Sequence, residues 1–313
     1  MLERQIKQLA ISTGFDLVGF TPAKPPAHLD VFLAWIREKH HAGMKYMSSD
    51  RAIWLRSDPR NVLPGAKSII VLGARYHNSL DVQDMEIDIC TGRMASYAWD
   101  IDYHQLLTEK MNQMIQKIMQ VTGKPFGYKF YTDSGPILER DFAQSAGLGW
   151  IGKNSCLISP HKGSFLFLAE ILTDLELEPD LPFTNDFCGS CQRCIQACPT
   201  QCILPNRTID SSRCISYLTI ENKGEIPRNL RKKISNWIFG CDICQNVCPW
   251  NQKTNRDSYI SFFHTRKDII LPDLRQEMQL SPQAFRLKFS GSPVLRAKYR
   301  GYLRNVVCAL GNT

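Results

Sequence analysis

Nine of the twelve cysteines fall between residues 188 and 248, and their spacing is the strongest chemical signal in the chain. Cys188, Cys191, Cys194 and Cys198 form a C-x2-C-x2-C-x3-C run closed by Pro199, while Cys241, Cys244 and Cys248 precede Pro249, with Cys214 upstream. Thiolates at this density bind soft metals. A structural zinc site takes two C-x2-C or C-x-H pairs separated by a spacer, an arrangement unlike three cysteines within seven residues followed by C-P. The run instead has the spacing that holds a cubane of four irons and four sulfides. A reducing compartment keeps no structural disulfides, so twelve cysteines there also favour ligation or redox chemistry. Cys90, Cys156 and Cys308 lack partners at ligand spacing and are expected to be small buried hydrophobes, as is Cys202.

The two runs resemble a two-cluster ferredoxin domain, in which the last cysteine of a run crosses to the other cluster. That resemblance implies one four-iron four-sulfur cluster on Cys188, Cys191, Cys194 and Cys248 and another on Cys198, Cys214, Cys241 and Cys244. Such clusters conduct single electrons and do no substrate chemistry themselves. The residues ahead of them must therefore serve a partner or hold a further cofactor. Two common cofactor signatures fail: Gly147-Leu148-Gly149-Trp150-Ile151-Gly152 follows a helix rather than a strand, and no G-x-x-x-x-G-K-S/T run occurs.

The elements that must carry this chemistry follow from periodicity. At 313 residues, with 43% hydrophobic and 22% charged, the chain suits two or three folded domains and excludes disorder. Helices are expected at 3–12, stopped by Gly14, and at 27–39. The longest amphipathic pattern, at 102–119, carries Leu106, Leu107, Met111, Met114, Ile115 and Ile118 on a stripe read as core rather than as a cofactor box. Strands are expected at 16–20, 67–72 and 128–132, a helix at 136–146, and a hairpin pairing 155–158 with 164–172. Such a hairpin argues against a purely parallel sheet. The longest apolar stretches, 68–74 and 165–172, are too short to span a bilayer, and the charged N-terminus is unlike a signal peptide. The fold class is accordingly α+β: an N-terminal α/β domain with a mixed sheet at 1–178, a two-cluster ferredoxin-like domain at 179–255, and a short helical segment at 256–313. That segment carries ten Lys/Arg against four Asp/Glu, a basic excess suited to a polyanion, and its end could begin a helical repeat.

Asp133 lies between a strand and a helix, where an aspartate ordinarily caps or turns. It belongs, however, to Tyr131-Thr132-Asp133-Ser134-Gly135-Pro136-Ile137-Leu138-Glu139-Arg140. This segment, with Ala146-Gly147-Leu148-Gly149-Trp150-Ile151-Gly152-Lys153-Asn154, Leu63-Pro64-Gly65-Ala66-Lys67-Ser68, Arg213-Cys214-Ile215-Ser216-Tyr217-Leu218-Thr219 and Gly240-Cys241-Asp242-Ile243-Cys244-Gln245, closely resembles the epoxyqueuosine reductase family. The resemblance runs from about residue 5 to 310. It implies a cobalamin in the N-terminal domain, two 4Fe-4S clusters, and a substrate that is the epoxide-bearing wobble nucleotide in the anticodon arm of a tRNA. Electrons would pass through the clusters to cobalamin while Asp133, its pKa raised by an apolar pocket, donates a proton. By resemblance Arg56, Asp133, Leu157, Leu168, Ser216, Asp242 and Ile243 contact the cofactor. Lys223, Lys298, Arg300 and Arg304 are candidate phosphate contacts.

Asp102-Tyr103-His104 starts like a D-x-H-x-x-G cobalamin motif, but Leu107 occupies the glycine position. Asp102 is thus expected to cap the long helix, with His104 on its first turn. Two alternatives share parts of the signal: a corrinoid reductive dehalogenase, which would bring a twin-arginine export signal, and an electron-transfer protein without a substrate. The expected setting is a cytoplasmic monomer, off the membrane, fed by a flavodoxin or ferredoxin system.

Overall fold

The computed structural model describes residues 1–76, 88–253 and 267–313, so the expected boundary at 255/256 lies outside the described residues. Its largest sheet has the order β1-β2-β7-β4, formed by β1 (Leu17–Pro22), β2 (Ser68–Arg75), β7 (Leu166–Thr173) and β4 (Tyr128–Tyr131). Alternation along β2 divides its side chains between two cores. Ile70, Leu72 and Ala74 pack with Ile6 and Ala10 of helix Leu2–Thr13 and with Leu107, Met111, Met114, Ile115 and Ile118 of helix Tyr103–Thr122. Ile69 and Val71 face Ile137, Phe142 and Ala143, around helix Glu139–Ser145. The methionine stripe is core. Covering both faces explains why β2 is buried at every position and reads as an unbroken apolar run.

The sheet mixes no strand directions: all three of its pairings are antiparallel. The expectation of a mixed sheet is corrected on this point, as is the hairpin partner. A Ser159–Gly163 bridge closes the turn, but β6 (Leu157–Ile158) pairs back with β5 (Trp150–Ile151). This frees β7 to insert between β2 and β4 and to satisfy backbone groups on both of its edges. The parallel pairing lies elsewhere, between β3 (Arg93–Met94) and β8 (Trp237–Phe239). Helix Glu139–Ser145 also starts three residues later than its pattern suggests, because Asp133 adopts φ 57° and turns the chain ahead of it. Close packing here depends on Gly19, where a Cβ would lie 2.1 Å from the Ala146 carbonyl oxygen.

The cysteine-bearing half consists of short helices, Arg193–Ala197, Ile215–Ile220 and Ile243–Asn246, joined by loops. The basic C-terminal segment packs onto it. Phe285, Phe289, Val294, Tyr302, Val306 and Ala309 share a core with Met94, Ala98, Trp99, Ile238 and Phe239. Fully buried Asn305, on helix Lys298–Leu310, donates from Nδ2 to the carbonyls of Thr219 at 2.7 Å and Ile238 at 2.8 Å. Asn305→Ala leaves both carbonyls without that donor and should cost about 2–4 kcal/mol, read as a lower chemical-denaturation midpoint. An unchanged midpoint would show that these two bonds contribute nothing to holding the segment.

Candidate active site and thiol clusters

Among the described residues no group of three or more His, Cys, Asp or Glu side chains is placed to hold a metal ion, yet the mutual influence of the expected ligand thiols falls into two sets. Burial raises the Cys194 thiol, and Cys188, Cys248 and Cys191 raise it further. Cys248 is likewise raised by burial, then by Cys188 and Cys191. In the second group burial raises Cys241, with Cys214 and Cys198 adding to it, and raises Cys244, with Cys156, Cys241 and Cys214 adding. The second set is not uniform: a hydrogen bond from Cys202 brings Cys198 down to about 5 and also lowers Cys214. Cysteine thiolates are the donors that cubane clusters take, and the two sets follow the division that the ferredoxin resemblance implies.

Local elements fix each group. Trp150 Nε1 donates to Cys188 Sγ at 3.4 Å, inside a cage of Phe183, Phe187 and Trp250. Lys153 Nζ holds the cysteine loop through the carbonyls of Gly189 at 2.7 Å and Cys191 at 2.9 Å. Cys202 is buried as expected, but its surroundings are not simply apolar: its Sγ lies 3.5 Å from Cys198 Sγ, and it also bonds Cys214.

Asp133 stands at the end of β4, where its left-handed backbone turns the carboxylate toward the start of the long helix. Tyr103 Oη donates to Asp133 Oδ2 at 2.9 Å, and His104 Nε2 lies 3.4 Å from the same oxygen. The other ring nitrogen, Nδ1, is 2.8 Å from Asp102 Oδ1. Asp102 also caps the helix through the His104 N–H, as expected. Tyr103 stacks between His104 and Phe167, with ring centroids 4.2 Å apart in both cases, and so fixes the imidazole.

Electrostatics corrects the sequence expectation for Asp133. Burial would raise its pKa, but hydrogen bonds from His104 and Tyr103 and the charges of His104 and Arg140 hold it below the ordinary carboxylate range. Burial would likewise lower His104, yet Asp102 and Asp133 push it up to about 9. The proton at neutral pH therefore sits on the imidazole facing Asp133. Sequence reasoning placed His104 on the first helical turn and stopped there. Its other partner, 29 residues away, gives no local signal.

Leu157 and Leu168 line one pocket together with Tyr76, Arg140, Cys156, Ser164, Leu166 and Gln245. Asp242 is buried, accepts the Ser96 N–H at 2.6 Å, and is pushed up to about 6 by burial. Ser216 and Ile243 lie half-buried beside Cys214 and Cys244. The lining mixes apolar side chains with hydroxyl, amide and guanidinium groups, the residue types that a ring bearing amides would meet, in a hollow much smaller than a cobalamin. Arg56 differs from expectation. It is buried, with Nη1 on the Ala52 carbonyl at 3.2 Å and Nη2 on the Gly135 carbonyl at 3.3 Å, so it anchors the Asp133 turn. Its Nε remains buried without an acceptor, the one group it could still offer a cofactor.

The candidate phosphate contacts separate. Lys298 and Arg300 are exposed. Lys223 is exposed but donates to the carbonyls of Ile220 at 3.0 Å and Arg296 at 3.2 Å. Arg304 is corrected: its guanidinium is spent on the carbonyls of Asn222, Gly224 and Leu218 and on Asn305 Oδ1. The sequence could not distinguish this structural arginine from its exposed neighbours.

Two family models match the chain: "Epoxyqueuosine reductase QueG, DUF1730" over residues 56–134 and "4Fe-4S double cluster binding domain" over 187–251. An epoxyqueuosine reductase of Xanthomonas campestris pv. campestris is 39% identical over 315 residues, covering 98% of this chain and 86% of the relative. A crystal structure of an epoxyqueuosine reductase with an epoxyqueuosine-modified tRNA-Tyr stem loop superposes with TM-score 0.90 at 30% identity, covering 99% of this chain and 81% of that one. The enzyme from Bacillus subtilis, solved with its catalytic aspartate loop swung out of the active site, gives TM-score 0.88 at 29% identity with the same coverage.

The thiol grouping has a direct test. Anaerobic reconstitution should load about eight irons, two cubanes' worth, and Cys214→Ala should reduce this toward about four. Cys202→Ala should leave the count unchanged, since the second group is complete without it. Iron loss in the Cys202 variant and none in the Cys214 variant would reverse the assignment.

Proposed function

The chain belongs to the epoxyqueuosine reductase family, and from that premise we propose how its residues reduce epoxyqueuosine to queuosine at the wobble position of tRNA. The observation that carries the reading is Asp133 held between Tyr103 and His104, with the Leu157–Leu168 pocket and the two thiol groups in the same fold. The overall reaction takes two electrons and two protons: both epoxide carbon–oxygen bonds break, a carbon–carbon double bond forms, and the oxygen leaves as water. The clusters, on Cys188, Cys191, Cys194 and Cys248 and on Cys198, Cys214, Cys241 and Cys244, supply electrons singly. Cobalamin, when bound, supplies a low-valent cobalt able to attack or reduce an epoxide carbon.

What remains for the protein is proton delivery, positioning and exclusion of water. His104 stores one proton, which Asp133 relays from the imidazolium to the departing oxygen, and the second proton needed to release water comes from solvent through the recharged imidazole. Tyr103 orients the carboxylate. Leu157 and Leu168 give the cofactor a dry floor, while Ser216, Asp242 and Ile243 stand between it and the second thiol group. In the Bacillus subtilis relative the loop carrying a catalytic aspartate has a position outside the active site, which supports assigning that role to the turn at Asp133.

The anticodon arm is held by Lys223, Lys298 and Arg300, while Arg304 secures the surface that carries them. The net charge of +8 suits both the tRNA and an acidic electron donor such as a flavodoxin or ferredoxin, acting on a cytoplasmic monomer. Among the described residues no helix is long and apolar enough to cross a membrane.

Asp133→Asn should retain clusters, cobalamin and tRNA affinity while its single-turnover rate falls about 10²–10⁴-fold, the usual worth of general acid catalysis. The wild-type rate should hold across neutral pH and decline as the medium passes about 9, where His104 loses its proton. Asp102, Asp133, Tyr103 and Arg140 surround this equilibrium, and removing the Asp133 charge should move the alkaline limb to lower pH. Near wild-type conversion by Asp133→Asn would sink the acid assignment. Neutralising Lys298 and Arg300 should flatten the salt dependence of tRNA binding by roughly one unit of slope per lost contact, with turnover of bound substrate preserved.

A further inference from the structure

Glu170 occupies the middle of β7, opposite Val71 on one side and Tyr131 on the other. Alternation places it on the face of Leu168 and Leu172, where an apolar side chain is expected against Ile137, Phe142 and Ala143. It is fully buried, and neither carboxyl oxygen reaches a donor. An ionised carboxylate is not tolerated in such a place, whereas a carboxylic acid brings its own donor. The group its proton reaches is the carboxyl of Glu139, at the first position of helix Glu139–Ser145. Glu139 Oε1 in turn accepts the Asp133 N–H. That bond restrains a non-glycine residue at φ 57°, a conformation that persists only where its surroundings impose it.

We propose that Glu170 is a buried carboxylic acid that donates its proton to Glu139, and that the pair is a positioning device holding the Asp133 turn against Tyr103 and His104. Glu170 and Glu139 touch neither substrate nor cofactor; they act through the Asp133 backbone. The electrostatics agree with the geometry. Burial, reinforced by Glu139 and Asp133, lifts Glu170 well above the carboxylate range, and burial with Asp133 pushes Glu139 up to about 8. Asp133, His104, Tyr103, Arg140 and Arg56 are the other charged or titratable groups facing the pair. Both carboxyls hold protons more tightly folded than unfolded. Their contribution to stability is therefore complete below the ordinary carboxylate range and is lost as pH rises through about 8. The clasp loosens on that alkaline side.

The proposal rests on the role given to Asp133, so its test is read without turnover. Infrared spectra of the holoenzyme should contain protonated-carboxyl bands from the pair at neutral pH that disappear in alkali, and Glu170→Gln should lose one of them. Hydrogen exchange of the peptide spanning 131–138 should accelerate about tenfold or more in Glu139→Ala, which removes the acceptor of the Asp133 N–H. Glu170→Gln, whose amide still donates to Glu139, should keep that peptide protected and abolish the extra alkaline loosening. Glu170→Leu fills an apolar site with an apolar side chain, so it should fold at least as stably and yet exchange faster in the turn. Absence of protonated-carboxyl bands from the wild type, an undiminished set in Glu170→Gln, or unchanged exchange in Glu139→Ala would each overturn the pair. None of these outcomes depends on whether Asp133→Asn is active, so failure of the pair and failure of the acid assignment are separable.

Discussion

A carboxylate and an imidazolium 3.4 Å apart at the end of the central sheet constrain the surrounding architecture. Asp133 is exposed and His104 partly so, and each charge raises the other's tendency to ionise. The arrangement survives only if both backbones are fixed. The long helix supplies one side, since capping by Asp102 starts it where Tyr103 and His104 face the sheet. The other side is a left-handed turn fastened by Arg56 through Gly135 and by Glu139 through the Asp133 N–H. Three helices thus converge on one side chain, and the antiparallel sheet sets their spacing.

What was legible in the sequence was what local spacing determines. The cysteine runs were readable because cluster ligation constrains residues two and three positions apart, and the long helix because its core stripe recurs every three or four residues. Asp133 was found through its segment, but its protonation was misjudged because the deciding partner comes from a different element. The carbonyl partners of Arg56 and Arg304 were hidden for a related reason. Guanidinium groups serve carbonyls and phosphates equally well, and only the fold shows which carbonyls are within reach. Glu170 was the best hidden, a lone acid inside the apolar run 165–172 that periodicity assigned to the core. It is in the core, and that is what makes its chemistry unusual.

The C-terminal segment shows the limit of charge counting. Ten Lys/Arg against four Asp/Glu suggested a basic helical segment suited to a polyanion, and its apolar positions complete a core begun by Met94, Ala98 and Trp99. Its charges have different duties. Arg296 pairs with Glu221 at 2.8 Å, Lys288 bonds buried Glu277, and Arg304 is enclosed by carbonyls. Only part of the excess is therefore available to a polyanion, and that part is presented by a rigid helix rather than a flexible tail. Rigid presentation lowers the ordering cost of each phosphate contact.

The interface between the sheet and the cysteine helices is polar where apolar packing would have been simpler. Asp242 accepts the Ser96 N–H, Ser164 Oγ donates to Gln245 Oε1 at 2.9 Å, and Gln245 Nε2 donates to Tyr76 Oη at 3.3 Å. Asn251 accepts the Ser164 N–H through Oδ1 and returns a bond from Nδ2 to the hydroxyl. Apolar surfaces tolerate sliding, because dispersion and hydrophobic contact are nearly indifferent to a shift of an ångström. Directional bonds with every partner satisfied are not. An enzyme that brings electrons from one half and a proton from the other to the same epoxide must hold the two at fixed separation. The hydroxyl and amide groups of Ser164, Gln245 and Asn251 impose a fixed separation at the wall of the pocket lined by Leu157 and Leu168.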